Sequence, residues 1–258
     1  MVRKLKKQTT AVKPIWEAAI ANDWYTVREL LQHDPSLINV ICKVENCKVS
    51  LLHLAIKKNP DMDLLKYLVS LGANVNAQFK IMEPVDRPHV YKEFCTPPPL
   101  HLTIVENYNA EEIVQFLVSK GVDVNRKDHG CGGTPLHYAA TKSNVRISEC
   151  LILAGANANA EDRSSNRPLH VAAATNPNVD VLKCLITAGA DIHARLRYDK
   201  STPLHIATQH NSVEVVQHLI LQGANVHAKD RDGKTPLDYA NTEQKKRILR
   251  EAMDRKTN

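Results

Sequence analysis

A six-residue string recurs along this 258-residue chain at a nearly fixed period, and that period constrains the fold more than any other feature. Thr-Pro-Leu-His-x-Ala stands intact at Thr134–Ala139 and Thr202–Ala207. Variants stand at Ser50–Ala55, Pro98–Thr103, Arg167–Ala172 and Thr235–Ala240. The anchor is a histidine at 53, 101, 137, 170 and 205 and an aspartate at 238, giving intervals of 48, 36, 33, 35 and 33 residues. A fainter copy, Pro14–Ala18, puts Trp16 at the anchor position, 37 residues before His53. Length alone would suggest one or two globular domains. A repeat of this period instead demands small units that bury their apolar faces only against their neighbours.

A second string follows each anchor: Gly72–Ala77, Gly121–Asn125, Gly155–Ala160, Gly189–Ala194 and Gly223–Ala228, all variants of Gly-Ala-Asp/Asn-Val-Asn-Ala. Between the two lie apolar pairs, Leu68-Val69, Leu117-Val118, Leu151-Ile152, Leu185-Ile186 and Leu219-Ile220. Each part has a physical role. Thr or Ser before Pro offers an N-cap oxygen, and Pro at the first helical position gives up only an N–H that was unpaired anyway. The motif alanine lets a first helix approach its neighbour closely. The apolar pairs form the buried stripe of a second helix, which the glycine ends in a left-handed cap. The next four residues begin an extended finger.

On these residues the chain resembles the ankyrin-repeat family over about residues 14 to 250. The resemblance implies an all-α repeat solenoid of about seven helix-turn-helix units with hairpin fingers. An N-terminal cap is expected at 14–45 and repeats at about 46–78, 96–127, 133–161, 166–195 and 201–229, with a C-terminal cap at 234–254. Trp16 and Trp24 fall in the first helix and turn of the N-cap, and Asp34-Pro35 closes it. Asp238 replaces the histidine in the C-cap. Its last helix, about Thr242–Met253, carries Gln244, Lys245, Lys246 and Arg247 for an outer, solvent-facing side.

The 48-residue interval holds about 15 extra residues at 79–95, where a finger should be. They include Phe79, Met82, Tyr91 and Phe94, two of the three phenylalanines of the chain. A tolerated excursion costs little closure entropy but is usually polar, so these four residues are candidates for partner binding. Smaller enlargements at Asp128–Gly133 and Arg195–Lys200 read as loose finger tips.

Little in the chain points to catalysis. Five of the 12 histidines are the motif position, where the family uses imidazole structurally. His193 and His227 take the last Asn place of the finger string, and His218 shares a packing position with Tyr67, Phe116, Cys150 and Cys184. Cys42 and Cys47 lack a second pair at zinc-finger spacing. No phosphate-binding glycine loop, His-Glu-x-x-His or Gly-x-Ser-x-Gly occurs. No enzyme, cofactor or metal is therefore expected.

No run of 18 apolar residues exists and the basic start lacks an apolar stretch, so neither a membrane span nor a secretory signal is expected. The six cysteines, in an intracellular setting, should be reduced thiols. The net charge of +6 is unevenly spread: residues 1–13 carry +5 and 243–258 carry +3, leaving −2 on the body. Residues 1–13 and 255–258 read as tails, the first basic and disordered.

The resemblance implies a non-enzymatic scaffold or adaptor that binds a protein through a concave surface of finger tips and first helices. Carried onto this chain, the tip positions are Arg163, Ser164 and Asn166, then Tyr198, Asp199 and Ser201, then Arg231, Asp232 and Lys234. First-helix positions facing the same groove include Lys142, Gln209 and His210. The expected partner is another protein and the expected state a monomer, with nucleic acid not expected. The expected compartment is cytoplasm or nucleus, a bacterial effector delivered to a host cell being the other origin. The alternative is that the basic ends bind nucleic acid or anionic membrane while the repeats act as a spacer.

Overall fold

The computed structural model describes residues 13–44, 47–58, 61–84, 91–106 and 109–254, with the backbone alone at 80–84 and 91–95. These residues fall into two compact units: the chain up to Asp123 with Asp128–Gly130, and Val124–Lys127 with Cys131 onward. The expected tails at 1–12 and 255–258 lie outside the described residues.

The first unit begins with helix α1 (residues 13–20), α2 (Trp24–His33) and a 3₁₀ turn (Pro35–Asn39). A short antiparallel hairpin follows, β1 (Cys42–Val44) with β2 (Cys47–Val49), then α3 (Leu51–Lys58) and α4 (Met62–Ser70). A second hairpin, β3 (Phe79–Pro84) with β4 (Tyr91–Thr96), precedes α5 (Pro99–Glu106) and α6 (Ala110–Ser119). The second unit contains α7 (Pro135–Ala140), α8 (Val145–Leu153), α9 (Pro168–Thr175), α10 (Val179–Thr187), α11 (Pro203–His210) and α12 (Val213–Leu221). It ends with a 3₁₀ turn (Pro236–Tyr239) and α13 (Glu243–Asp254). Within each unit the chain is an all-α solenoid in which first helices stack on first helices, as α3 on α5 and α9 on α11. In the second unit, second helices likewise stack on second helices, as α8 on α10.

Helices of six to twelve residues are marginal alone, so packing must hold them. The motif leucines Leu52, Leu100, Leu136, Leu169 and Leu204 are at most 1% exposed. The small residues three places on, Ala55, Thr103, Ala139, Ala172 and Ala207, are completely buried. A single methyl there is what allows close helix approach. Thr103 adds a hydroxyl, which its own helix absorbs by accepting it at the Pro99 carbonyl, 2.9 Å away.

In four repeats the motif histidine joins one repeat to the next. In α7 the His137 Nδ1 accepts the Thr134 backbone N–H at 3.1 Å and lies 2.9 Å from the Thr134 hydroxyl, while Nε2 reaches the Asn166 carbonyl at 2.9 Å. A backbone N–H only donates and a carbonyl only accepts. The ring is therefore neutral and carries its proton on Nε2. The same pattern binds His170 to the Arg167 N–H and the Ala194 carbonyl, and His205 to the Thr202 N–H and the Lys234 carbonyl. In the first unit His53 bridges the Ser50 hydroxyl and the Pro97 carbonyl. The Asp238 carboxylate takes over the first half of this role, accepting the Thr235 N–H at 2.6 Å and hydroxyl at 2.8 Å.

Three details differ from the sequence reading. Trp24 opens α2 and is buried, rather than sitting in the turn, because Asp23 caps that helix by accepting the Thr26 N–H. The first helix of the last unit is reduced to the 3₁₀ turn. Lys245 is not on a solvent face: it is 4% exposed, one turn before the buried Leu249. Its ammonium donates to the Thr208 carbonyl at 2.8 Å and to Asn241 Oδ1 at 2.9 Å. A cation at the C-terminal end of α11 satisfies carbonyls that no further turn can reach.

Candidate interaction surface

Each finger starts where a second helix ends. After α8 the Gly155 N–H donates to Ile152 O and the Ala156 N–H to Leu151 O, with Gly155 at φ +89°. Asx turns then carry the chain outward, the Asn157 carboxamide accepting the Asn159 N–H and the Asp191 carboxylate the His193 N–H. A staple links successive fingers. Asn125 donates to Gly155 O at 2.9 Å and accepts the Asn157 N–H at 2.8 Å. Asn159 does the same to Gly189 and Asp191, and in the first unit Asn39 does so to Gly72 and Asn74.

The tips of the second unit are closed by their own backbone. Asp162 N–H donates to Asn166 O, Leu196 N–H to Ser201 O and Asp230 N–H to Lys234 O, at 2.9–3.0 Å. The residue before each closing carbonyl has positive φ: Ser165 +65°, Lys200 +61° and Gly233 +79°. Neighbouring tips also touch: Arg231 N–H donates to Asp199 O at 2.7 Å, and Arg163 N–H to Cys131 O at 2.9 Å. The tip at Arg195–Lys200, read from sequence as loose, is thus closed and tied to the next.

The structure divides the candidate residues. Arg163, Ser164, Tyr198, Asp199, Arg231, Asp232 and Lys234 are exposed on the tips, Tyr198 at 67%. Gln209 and His210 are exposed at the end of α11, and Lys142 is half-buried after α7. Two residues are occupied by the fold instead. Ser201 is buried, with its N–H on Asp199 Oδ1, and Asn166 holds the Asp162 carboxylate through its N–H and its carboxamide. The sequence reading passed over Arg197 and Lys200, both exposed beside Tyr198. Three cations within Arg195–Lys200 were the signal, hidden by an overall count that put the basic charge at the chain ends.

At its described residues, Phe79–Pro84 and Tyr91–Thr96, the insertion is an antiparallel ribbon in its backbone. Six register pairs run from Phe79↔Thr96 to Pro84↔Tyr91, with Ile81 opposite Phe94 and Met82 opposite Glu93. Successive strand positions alternate between faces. Phe79 and Phe94 therefore take positions on one face, Met82 and Tyr91 on the other. The face of Phe79 is the packed one: its ring lies 5.6 Å from the His53 ring, and Thr96 donates to Lys48 O. Phe79 is a half-buried packing residue. The side chains of Met82, Tyr91 and Phe94, and residues 85–90, lie outside the described part.

Burial holds His53 and His170 at a pKa of about 4, with the Ala194 carbonyl partly opposing the shift at His170. His205 is shifted the same way for the same reason. These rings are poor general bases, being committed at both nitrogens. Among the described residues no group of three or more His, Cys, Asp or Glu is placed to hold a metal ion, and no helix is long and apolar enough to cross a membrane. On the second helices of the second unit a groove of about 700 Å³ runs past Val145, Ile152, Leu153 and Cys184, with Leu153 88% exposed.

The comparisons agree with this architecture. A model of ankyrin repeats in three copies matches residues 100–196 and 169–254, and a single-repeat model matches residues 48–80. An ankyrin repeat protein of fowlpox virus (strain NVSL) is 32% identical over 104 residues, 40% of this chain. That match spans about a quarter (26%) of the viral protein. With the repeat models covering more than half its length, the chain belongs to the ankyrin-repeat family.

Proposed function

We propose that this chain is a non-enzymatic scaffold that binds another protein through the finger tips of its second unit and the adjoining first-helix positions Gln209 and His210. Ankyrin repeats are in general protein–protein interaction modules. The observation that carries the assignment to these residues is Tyr198. Its ring is 67% exposed on a tip that backbone hydrogen bonds close and join to the next. A large amphipathic side chain held on rigid backbone binds with little ordering cost. The residues that hold the array together, the motif histidines and the finger asparagines, are spent on internal bonds. The five described cysteines are free thiols, which suits a reducing compartment.

Replacing Tyr198→Ala together with Arg231→Ala should weaken capture of partners from cell extract by about 30-fold, the loss of a hot spot of about 2 kcal/mol. The thermal transition should stay in place. Unaltered capture would remove these tips from the site. The competing assignment, to the basic ends, predicts binding that collapses with modest added salt and on removal of residues 1–13. A complex that persists through both changes favours the tips.

A further inference from the structure

The geometry points to an acidic protein segment as the ligand of the last two finger tips of the second unit. This rests on the interaction reading above and names the chemistry of the partner.

The two tips form one platform, because the Arg231 N–H donates to Asp199 O at 2.7 Å. Arg197, Lys200, Arg231 and Lys234 supply four cations there against the carboxylates of Asp199 and Asp232, all exposed. Arg197, Lys200 and Arg231 make no ion pair among the described residues, so their charges are unspent. Lys234 stands over the Tyr239 ring, 5.5 Å from its centroid, and is itself exposed.

The neighbouring tip differs. There Arg167 is consumed by Glu161 at 3.3 Å and Asp191 at 3.0 Å, leaving Arg163 as that tip's exposed arginine against the four exposed cations of the last two tips. Exposed cations with no internal partner, beside an exposed tyrosine, present bidentate donors and an aromatic edge to carboxylates. Asp199 and Asp232 interrupt the positive field. A phosphate backbone, with one charge per about 1.7 Å, would bring phosphates against both carboxylates. A polypeptide can space its carboxylates to meet the cations alone. The pattern therefore favours an acidic peptide over nucleic acid.

The test is selection of phage-displayed random peptides on the full chain, with the winners and a duplex DNA oligonucleotide then titrated in solution. Selected peptides should be enriched in Asp and Glu and should bind at least tenfold more weakly to the Arg197→Glu, Arg231→Glu variant. Their binding should also fall on Tyr198→Ala, Arg231→Ala. Neutral or basic winners that still need Tyr198 and Arg231 overturn the acidic class and leave the tip surface standing. Winners that bind both variants as well as the parent chain overturn the surface itself. Tighter binding of the duplex than of any peptide, lost on charge reversal, overturns the proposal in favour of nucleic acid.

Discussion

A buried imidazole that accepts a backbone N–H on Nδ1 and donates from Nε2 keeps both bonds in one charge state only. Protonation would turn Nδ1 of His53 or His170 against the Ser50 or Arg167 backbone N–H, which can only donate, in sites 2% and 1% exposed. Their folded pKa, about 4, lies below the ordinary 6.5. Between those two values the unfolded chain takes up protons that the folded chain refuses. Stability is therefore complete above about pH 7, falls as pH drops towards 4 and levels off below, by about 3 kcal/mol per ring. Thermal melts at pH 7 and pH 5 should differ by several degrees, and His170→Gln should lessen the difference. An identical midpoint at both values would contradict this assignment. A second residue-level prediction concerns Ser165, which holds φ +65° with a buried hydroxyl that has no hydrogen-bond partner among the described residues. Ser165→Gly should relieve about 1 kcal/mol of strain. Calorimetry should show the transition about 2–4 °C higher.

At the scale of elements, asparagine does for successive repeats what the histidine does for the fingers. Asn176, fully buried at the end of α9, donates to Ala140 O at 2.9 Å and Lys142 O at 2.7 Å. Asn211 repeats this after α11, donating to Ala173 O and Asn176 O at 3.0 Å. Asn176→Ala should strand two carbonyls and destabilise the second unit by about 1–3 kcal/mol, read from urea unfolding. The inserted hairpin gives an opposite expectation. Because the packing contacts of the hairpin are made at its base, by Phe79 on His53 and Thr96 on Lys48 O, deletion of Pro84–Glu93 should leave the melting transition nearly unchanged. A change in the captured partners on that deletion would show that the ribbon tip binds. Most of the helices were legible, because Pro at N1 and Gly after the last turn mark their ends in the sequence itself. The ribbon was legible only as extra length, since its register depends on pairing across a turn. Lys245 was misplaced because a charged residue on a packed face is explained only by the Thr208 carbonyl, 37 positions away.

At the scale of the molecule, charge and repetition answer different questions. The period specifies which side chains are spent on stacking, so the anchors, alanines and finger asparagines could be read directly from the sequence. The binding residues occupy positions that the period leaves free, and there only local chemistry distinguishes them. Tyr198 stood out as an aromatic among polar tips. Arg197 and Lys200 did not, because a net charge assigned the basic character to the ends. Ser201 and Asn166 were chosen by position and prove to be occupied by Asp199 and Asp162. The central claim, that a partner sits on the tips of the second unit, is tested most directly by hydrogen–deuterium exchange of the full chain with and without a captured partner. Slowed exchange should map to residues 195–201 and 230–235 and to the end of α11. Protection confined to α8 and α10, along the groove at Leu153, or to residues 1–12, would contradict it.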